Sequence, residues 1–267
     1  MARLLAPAVP APSPPWGWAV AAAVLGLAAG LVLFAPARWA AAAAARATGG
    51  QVLLDGARGT VWNGSARLVV TGGAGSRDAA SLPSPIEWRL RPAAGGLRLQ
   101  VQSACCTPQP LVIRLSPRVG GGALVVGDSA ASAWPAGLLT GLGTPWNTLQ
   151  PEGDLQLRTQ GLALRWSAGR LEVGGRAELT AQRLSSRLST VRPLGSYRMV
   201  LEGGATPRLT LSTLEGPLQL SGLGQWVGGR LRFNGEATAT PERETALSNL
   251  LNIIGRRSGA RSLITIG

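Results

Sequence analysis

The 267-residue chain contains neither histidine nor lysine. Without an imidazole there is no Ser-His-Asp triad, no Cys-His pair and no zinc-protease motif. Without an ε-amine there is no P-loop lysine, no Schiff base and no Ser-x-x-Lys nucleophile. Only two cysteines occur, and Cys105 and Cys106 are neighbours. Two thiols cannot complete a tetrahedral metal site alone, and adjacent cysteines bridge each other only with strain. They read as two small side chains near a strand end before Pro108. A redox pair or an intermolecular link in an oxidising compartment is the alternative. Acidic residues number 13 and lie mostly singly in turns and exposed strand positions, so no pair stands out as an acid/base couple. The expectation is a non-enzymatic protein with no catalytic residue, metal or cofactor.

What is present is arginine. All 26 basic residues are Arg, giving a net charge of +13. Such a charge fits an anionic partner, either nucleic acid or lipid headgroups. It fits equally the wet faces of β-strands in a chain where Arg replaces Lys. The arginines are spread along the sequence and no basic stripe interleaves with aromatics, so no nucleic-acid partner is expected. Charged residues make up only 15%, which excludes a disordered polyelectrolyte.

Residues 1–15, rich in Pro and Ala, read as a disordered cytoplasmic tail. Trp16 to Ala35 carries no charge over about 20 residues, the length of one membrane crossing. Trp16, Trp18 and Trp39 stand at its ends, where indoles favour the interface. A cleaved signal peptide is the rival; the length of the apolar run favours an uncleaved anchor. Within it, Gly26 and Gly30 form a small-xxx-small pair that would let a second helix approach. Residues 36–50 read as a linker or helix extension, Ala-rich from Ala37 and stopped at Gly49-Gly50.

From residue 51 onward, 37 Gly and 19 Pro across the chain leave room for short strands rather than long helices. Gly216 to Ala237 reads as a hairpin. Leu218 and Leu220, then Leu231 and Phe233, alternate with polar residues at the strand period, and Gly228-Gly229 is the expected turn. Trp166, Gly169, Arg170, Leu171, Gly175 and Ala177 match Trp226, Gly229, Arg230, Leu231, Gly235 and Ala237 at one offset. The preceding strands match at a different offset, which predicts turns of different length. Gly59 to Leu68 is a fainter echo, with Trp62 in the Trp position and Asn63-Gly64 as a turn signal. The fold expected is mainly β: an N-terminal transmembrane helix, then an antiparallel, repetitive β-meander forming a curled sheet over 51–267, with a C-terminal amphipathic helix.

That helix is capped by Thr240, with Pro241 at its first position and Glu242 and Glu244 in its first turn. Leu247, Leu250, Leu251 and Ile254 form one apolar stripe. Gly255 ends the helix, with Arg256 and Arg257 just beyond. Two roles fit the stripe: packing on the sheet, or docking on a partner together with the two arginines.

The chain resembles the N component of the type II secretion system (general secretion pathway protein N). The residues carrying the likeness are Gly59-Thr-Val-Trp-Asn-Gly-Ser-Ala66, Pro193-Leu-Gly-Ser-Tyr197, the Gly216 to Ala237 hairpin, and above all Asn249-Leu-Leu-Asn-Ile-Ile-Gly-Arg-Arg257 with Arg261-Ser-Leu-Ile-Thr-Ile-Gly267. Gly72 to Pro83, Cys105-Cys106 and Ala131 to Leu149 have no counterpart in it. The resemblance implies a single-pass bacterial inner-membrane protein with its β domain in the periplasm. It also implies contacts with other inner-membrane secretion components, the secretin being a further candidate, and no catalytic residues.

A second hypothesis comes from the leucine pattern. A curled meander with one Leu-rich face makes a trough, and larger periplasmic proteins of the AsmA type, which are associated with lipid handling, look similar in plan. Leu155, Leu157, Leu209, Leu211, Leu218, Leu220, Leu231 and Phe233 would then line a lipid groove rather than a sealed core.

Overall fold

Alternation at period 2 builds most of this chain. The computed structural model describes residues 16–227 and 230–267, without the side chains of residues 129–131. The expected tail over 1–15 and the Gly228-Gly229 turn lie outside the described residues. Two units separate, Met1–Ala35 and Pro36–Gly267. The first holds helix α1 (Trp16–Leu33), which buries none of its residues and is long and apolar enough to cross a membrane.

The second unit begins with a break. Pro36 is extended (φ −70°, ψ 146°) and precedes a separate helix, α2 (Ala37–Ala47). The Ala-rich stretch is therefore a helix of its own, because proline lacks the N–H that a continuing helix would need. The Thr48 hydroxyl donates to the Ala44 carbonyl (2.8 Å), and Gly49 and Gly50 turn the chain out at positive φ.

The strands follow in chain order. They are β1 (Val52–Gly59), β2 (Asn63–Thr71), β3 (Ala79–Ser81), β4 (Ile86–Ala93), β5 (Gly96–Ser103), β6 (Leu111–Arg118), β7 (Gly121–Val126) and β8 (Ser129–Pro135). A 3-10 turn over Ala136–Leu142 and helix α3 (Trp146–Leu149) interrupt the run. Then come β9 (Pro151–Ser167), β10 (Arg170–Ser186), β11 (Gly195–Glu202), β12 (Arg208–Glu215), β13 (Leu218–Val227) and β14 (Arg230–Ala239). A 3-10 turn over Pro241–Arg243 leads to α4 (Glu244–Ile254), followed by β15 (Arg256–Ser258) and β16 (Arg261–Ile266).

All sixteen strands of the described residues join one antiparallel sheet, largely in sequence order. It does not close. Directly paired residues share a face, so rows of side chains can be followed across it. One row runs Leu97, Leu115, Leu124, Leu164, Val173 over β5, β6, β7, β9 and β10. Another runs Leu157, Leu179, Met199, Leu211 over β9 to β12. The opposite face carries mostly Arg, Glu, Gln and Ser, with Val112, Val125, Val200 and Leu223 among them. Three buried clusters sit on the apolar face. One is Ala37 of α2 with Ala66 and Trp88. The second is Leu82, Ile86 and Cys106, with Trp134 and Leu138 against it. The third gathers Leu247, Leu250 and Leu251 of α4 with Tyr197, Leu218 and Ala237.

The repeat holds in the register. Trp166 faces Leu171 and Trp226 faces Leu231. The innermost pairs, Ser167 with Arg170 and Val227 with Arg230, each enclose two residues. The turns are thus equal in length, against expectation. The extra residues lie within β9 and β10, where the register slips near Gly161 and Gly175, both at positive φ. Trp62 is not equivalent to the other two, since it lies in the turn between β1 and β2.

Asn63-Gly64 opens β2 rather than forming that turn. The Thr60 hydroxyl accepts from the Asn63 N–H (3.1 Å), and the Thr60 N–H donates to the Asn63 carbonyl (2.7 Å), which closes the chain one residue earlier. Gly64 instead lies under the Trp88 ring, where a Cβ would collide. Gly122 lies likewise under Trp166, and Gly222 under Phe233. A large ring filling the space above a strand glycine restores the packing that the missing side chain forfeits.

Candidate functional site

The α4 stripe points into the protein. Leu247, Leu250 and Leu251 are 0%, 2% and 0% exposed, packed over β11, β13 and β14, and Ile254 is half-buried beside them. Burying three leucines contributes roughly 5–9 kcal/mol of transfer free energy, so the stripe is spent on the sheet. Thr240 does not cap through its side chain. Its N–H donates to the Pro217 carbonyl (2.9 Å), which ties the approach to α4 to the start of β13. At the other end the Ser262 hydroxyl donates to the Leu251 carbonyl (2.6 Å). Gly255 ends the helix in extended conformation, and a Cβ there would come within 2.6 Å of the Leu263 carbonyl oxygen.

The two arginines beyond the helix lie in β15 and diverge. Arg256 is exposed. Arg257 reaches back to Glu244 at 3.5 Å, with its other terminal nitrogen buried and unpartnered. Gly26 and Gly30 lie on α1 with nothing within 4 Å of a Cβ at either. Within the β unit, the four stripe residues thus face the sheet while Arg256 faces solvent.

Tyr197 is the centre of the α4 cluster. Its hydroxyl donates to the Leu218 carbonyl (3.0 Å), and burial pushes its phenol well above the ordinary tyrosine range, so it stays protonated. Cys105 and Cys106 are joined as a disulfide, which corrects the reading of two free thiols. The short β5–β6 connection brings their sulfurs together. Cys106 is buried, and its carbonyl accepts from the Ala133 N–H of β8 (2.8 Å).

Among the described residues no three of His, Cys, Asp and Glu converge. Clefts of mixed polar and apolar lining open on the β unit. One of about 510 Å³ lies between Asp78, Asn147, Glu152 and Arg187, where the Asn147 amide donates to Asp78 (3.1 Å). Glu152 accepts from Arg187 and Arg192, both at 3.1 Å. The Arg187 hydrogen bond holds its carboxyl below the ordinary range, with Arg192 adding to the effect. A second cleft, of about 460 Å³, is lined by Arg58, Asn63, Glu87, Arg89 and Arg91.

One arrangement escaped the sequence. The arginines are dispersed along the chain, yet pairing sets Arg91 of β4 opposite Arg98 of β5, and Arg98 opposite Arg114 of β6. The only advance signal was alternation. Each arginine falls on the polar phase of its strand, but the register that aligns them depends on the turns.

Comparison with curated proteins and with solved structures returned no match. The family model for type II secretion system (T2SS), protein N, matches residues 50–263, and thus nearly all of the β-rich unit. The chain therefore belongs to the type II secretion system protein N family, whose members are accessory components of that apparatus.

Proposed function

We propose that this protein is a non-catalytic accessory component of type II secretion, anchored in the bacterial inner membrane by α1, with its β unit in the periplasm in contact with other secretion components. The family match over residues 50–263 carries the reading. The apolar α1 supports the anchor. Gly26 and Gly30 are the proposed contact within the membrane, and exposed Arg256 a proposed polar contact on the β unit. The buried leucines of α4 hold the fold. The test is pull-down of the full chain from native membranes together with a secretion assay in a deletion strain. Secretion components should co-purify and export should fall. A chain that captures none of them, with export unchanged, refutes the role. Replacing Gly26 and Gly30 by Leu should weaken crosslinking within the membrane.

A second reading rests on the apolar face. Leu157, Leu179, Met199, Leu201 and Leu209 are half-buried and belong to none of the three packed clusters. Such a strip suits acyl chains. Phospholipid retained by the purified protein, identified by mass spectrometry, would favour it, and a lipid-free protein that co-purifies with secretion components would exclude it.

A further inference from the structure

The polar face carries a row of like charge that a folded chain alone gains nothing by keeping. Arg91, Arg98 and Arg114 stand directly opposite one another on three adjacent strands. Like charges in that position destabilise a sheet. All three side chains are exposed. Arg91 donates to the Leu90 carbonyl (3.2 Å) and to the Asn63 side-chain oxygen (3.0 Å). None of the three has a carboxylate partner among the described residues. The one carboxylate on β4 to β6, Glu87, is paired across the strands with Gln102. At the β4 end the row meets the cleft that adds Arg58 and Arg89.

Elsewhere the same sheet pairs several of its arginines with carboxylates. Arg176 meets Glu202 at 2.5 Å and Glu178 at 3.5 Å, and Arg198 meets Glu178 at 3.1 Å. Among the described strand pairs only this row sets arginine directly opposite arginine, and its field is available to another molecule.

From this we infer that the Arg91–Arg98–Arg114 row receives an acidic segment of a partner protein. The inference rests on the reading that the chain works by contact with other secretion components. The geometry selects the partner's form. Strand spacing places neighbouring arginines about 4.8 Å apart, so the row is about 10 Å long. On a helix, acidic side chains three or four residues apart lie about 5–6 Å from each other, and seven residues span about 10.5 Å. An acidic helical stripe thus matches the row in both spacing and length. The guanidiniums of Arg98 and Arg114 present planar forks that suit a carboxylate, and Arg91, already donating to Leu90 and Asn63, adds its charge. A membrane surface is less suited. Gln100, Gln102 and Ser116 border the row on this face together with Val112 and Val125; both valines are half-buried, so no large apolar side chain stands out to insert.

The test titrates a fluorescent Ala-rich helical peptide, with Glu at i, i+4 and i+7, into the full chain in uncharged detergent. Its Gln counterpart is the control. The Glu peptide should bind at least about tenfold more tightly than the Gln peptide, with affinity falling steeply as salt rises. R91E/R98E/R114E should lose that binding. R170E/R230E/R232E, with the same change in net charge, should keep it within about twofold. Arg98→Glu alone places a counter-charge between two arginines, so it should raise Tm by about 1–2 °C while weakening the peptide. Equal loss in both triple variants overturns the proposal, as does a failure of the Glu peptide to bind. So does a result in which vesicles of phosphatidylglycerol bind through these arginines while the peptide does not. Native-membrane pull-downs separate the two levels. If wild type and R91E/R98E/R114E capture the same secretion components, the row is not the docking site and the accessory role stands. If wild type captures none and export is unchanged in the deletion strain, the accessory role falls, and the titration decides the row by itself.

Discussion

The polar face changes character halfway along the sheet. From β9 to β16 it is laced with ion pairs: Arg176 with Glu202, Arg198 with Glu178, Arg187 and Arg192 with Glu152, Arg261 with Glu236. From β1 to β8 the described residues make none, and arginine stands opposite arginine. The apolar face differs as well. The second half is closed by α4 over Tyr197 and Leu218. The first half is closed in pieces, by Ala37 of α2 and by the loop that holds Cys106. One strand pattern therefore serves two ends. The later strands pair several of their arginines with carboxylates around one buried helix. The earlier strands leave their arginines without ion pairs among the described residues and set three of them directly opposite one another.

The comparison can be broken first at its strongest point. Replacing Leu250 and Leu251 by Asp would bury two unpaired carboxylates, a cost on the order of 5 kcal/mol or more. Hydrogen exchange of the full chain should lose protection in β11 to β16 before β4 to β6. Simultaneous loss throughout would mean that the halves form one cooperative block. Next, Gly64→Ala under Trp88 and Gly222→Ala under Phe233 place the same overpacking in opposite halves. Each should cost about 1–3 kcal/mol in denaturant unfolding; a marked inequality would show which half is better able to adjust. Tyr197→Phe removes the hydrogen bond to the Leu218 carbonyl and leaves that buried acceptor unpaired, so a loss of about 1 kcal/mol or somewhat more is expected.

The smallest effect is a pH dependence. Glu152 has its folded pKa lowered, first by the Arg187 hydrogen bond. Its contribution is therefore present above the unfolded carboxylate pKa, near 4.5, and is lost as pH falls through the lower folded value. A shallow decline in Tm below about pH 4.5 should follow, and Glu152→Gln should flatten that part of the profile.

Much of the fold was legible because strand period and glycine spacing are local. Leu155, Leu157, Leu218, Leu220, Leu231 and Phe233 do share the apolar face, and the Leu247 to Ile254 stripe does form a helix. What was not legible depended on contacts distant in sequence. Asn63-Gly64 looks like a turn until Trp88, contributed by β4, needs the glycine beneath its ring. Thr240 looks like a cap until Pro217 claims its backbone. The two cysteines look like packing until the β5–β6 connection folds their sulfurs together. The partner surface was least legible of all, since Arg91, Arg98 and Arg114 become neighbours only through register.

A sheet that does not close must terminate twice, and both rims are defended. At one rim α2 lies against β1, with Ala37 and Ala40 near Leu54 and Ala57. At the other, β15 is only three residues long and two of them are arginine. Brevity, charge and a covering helix each spoil a backbone row as a template for foreign strands. The protein can thus keep a broad unclosed surface without inviting strand-by-strand polymerisation.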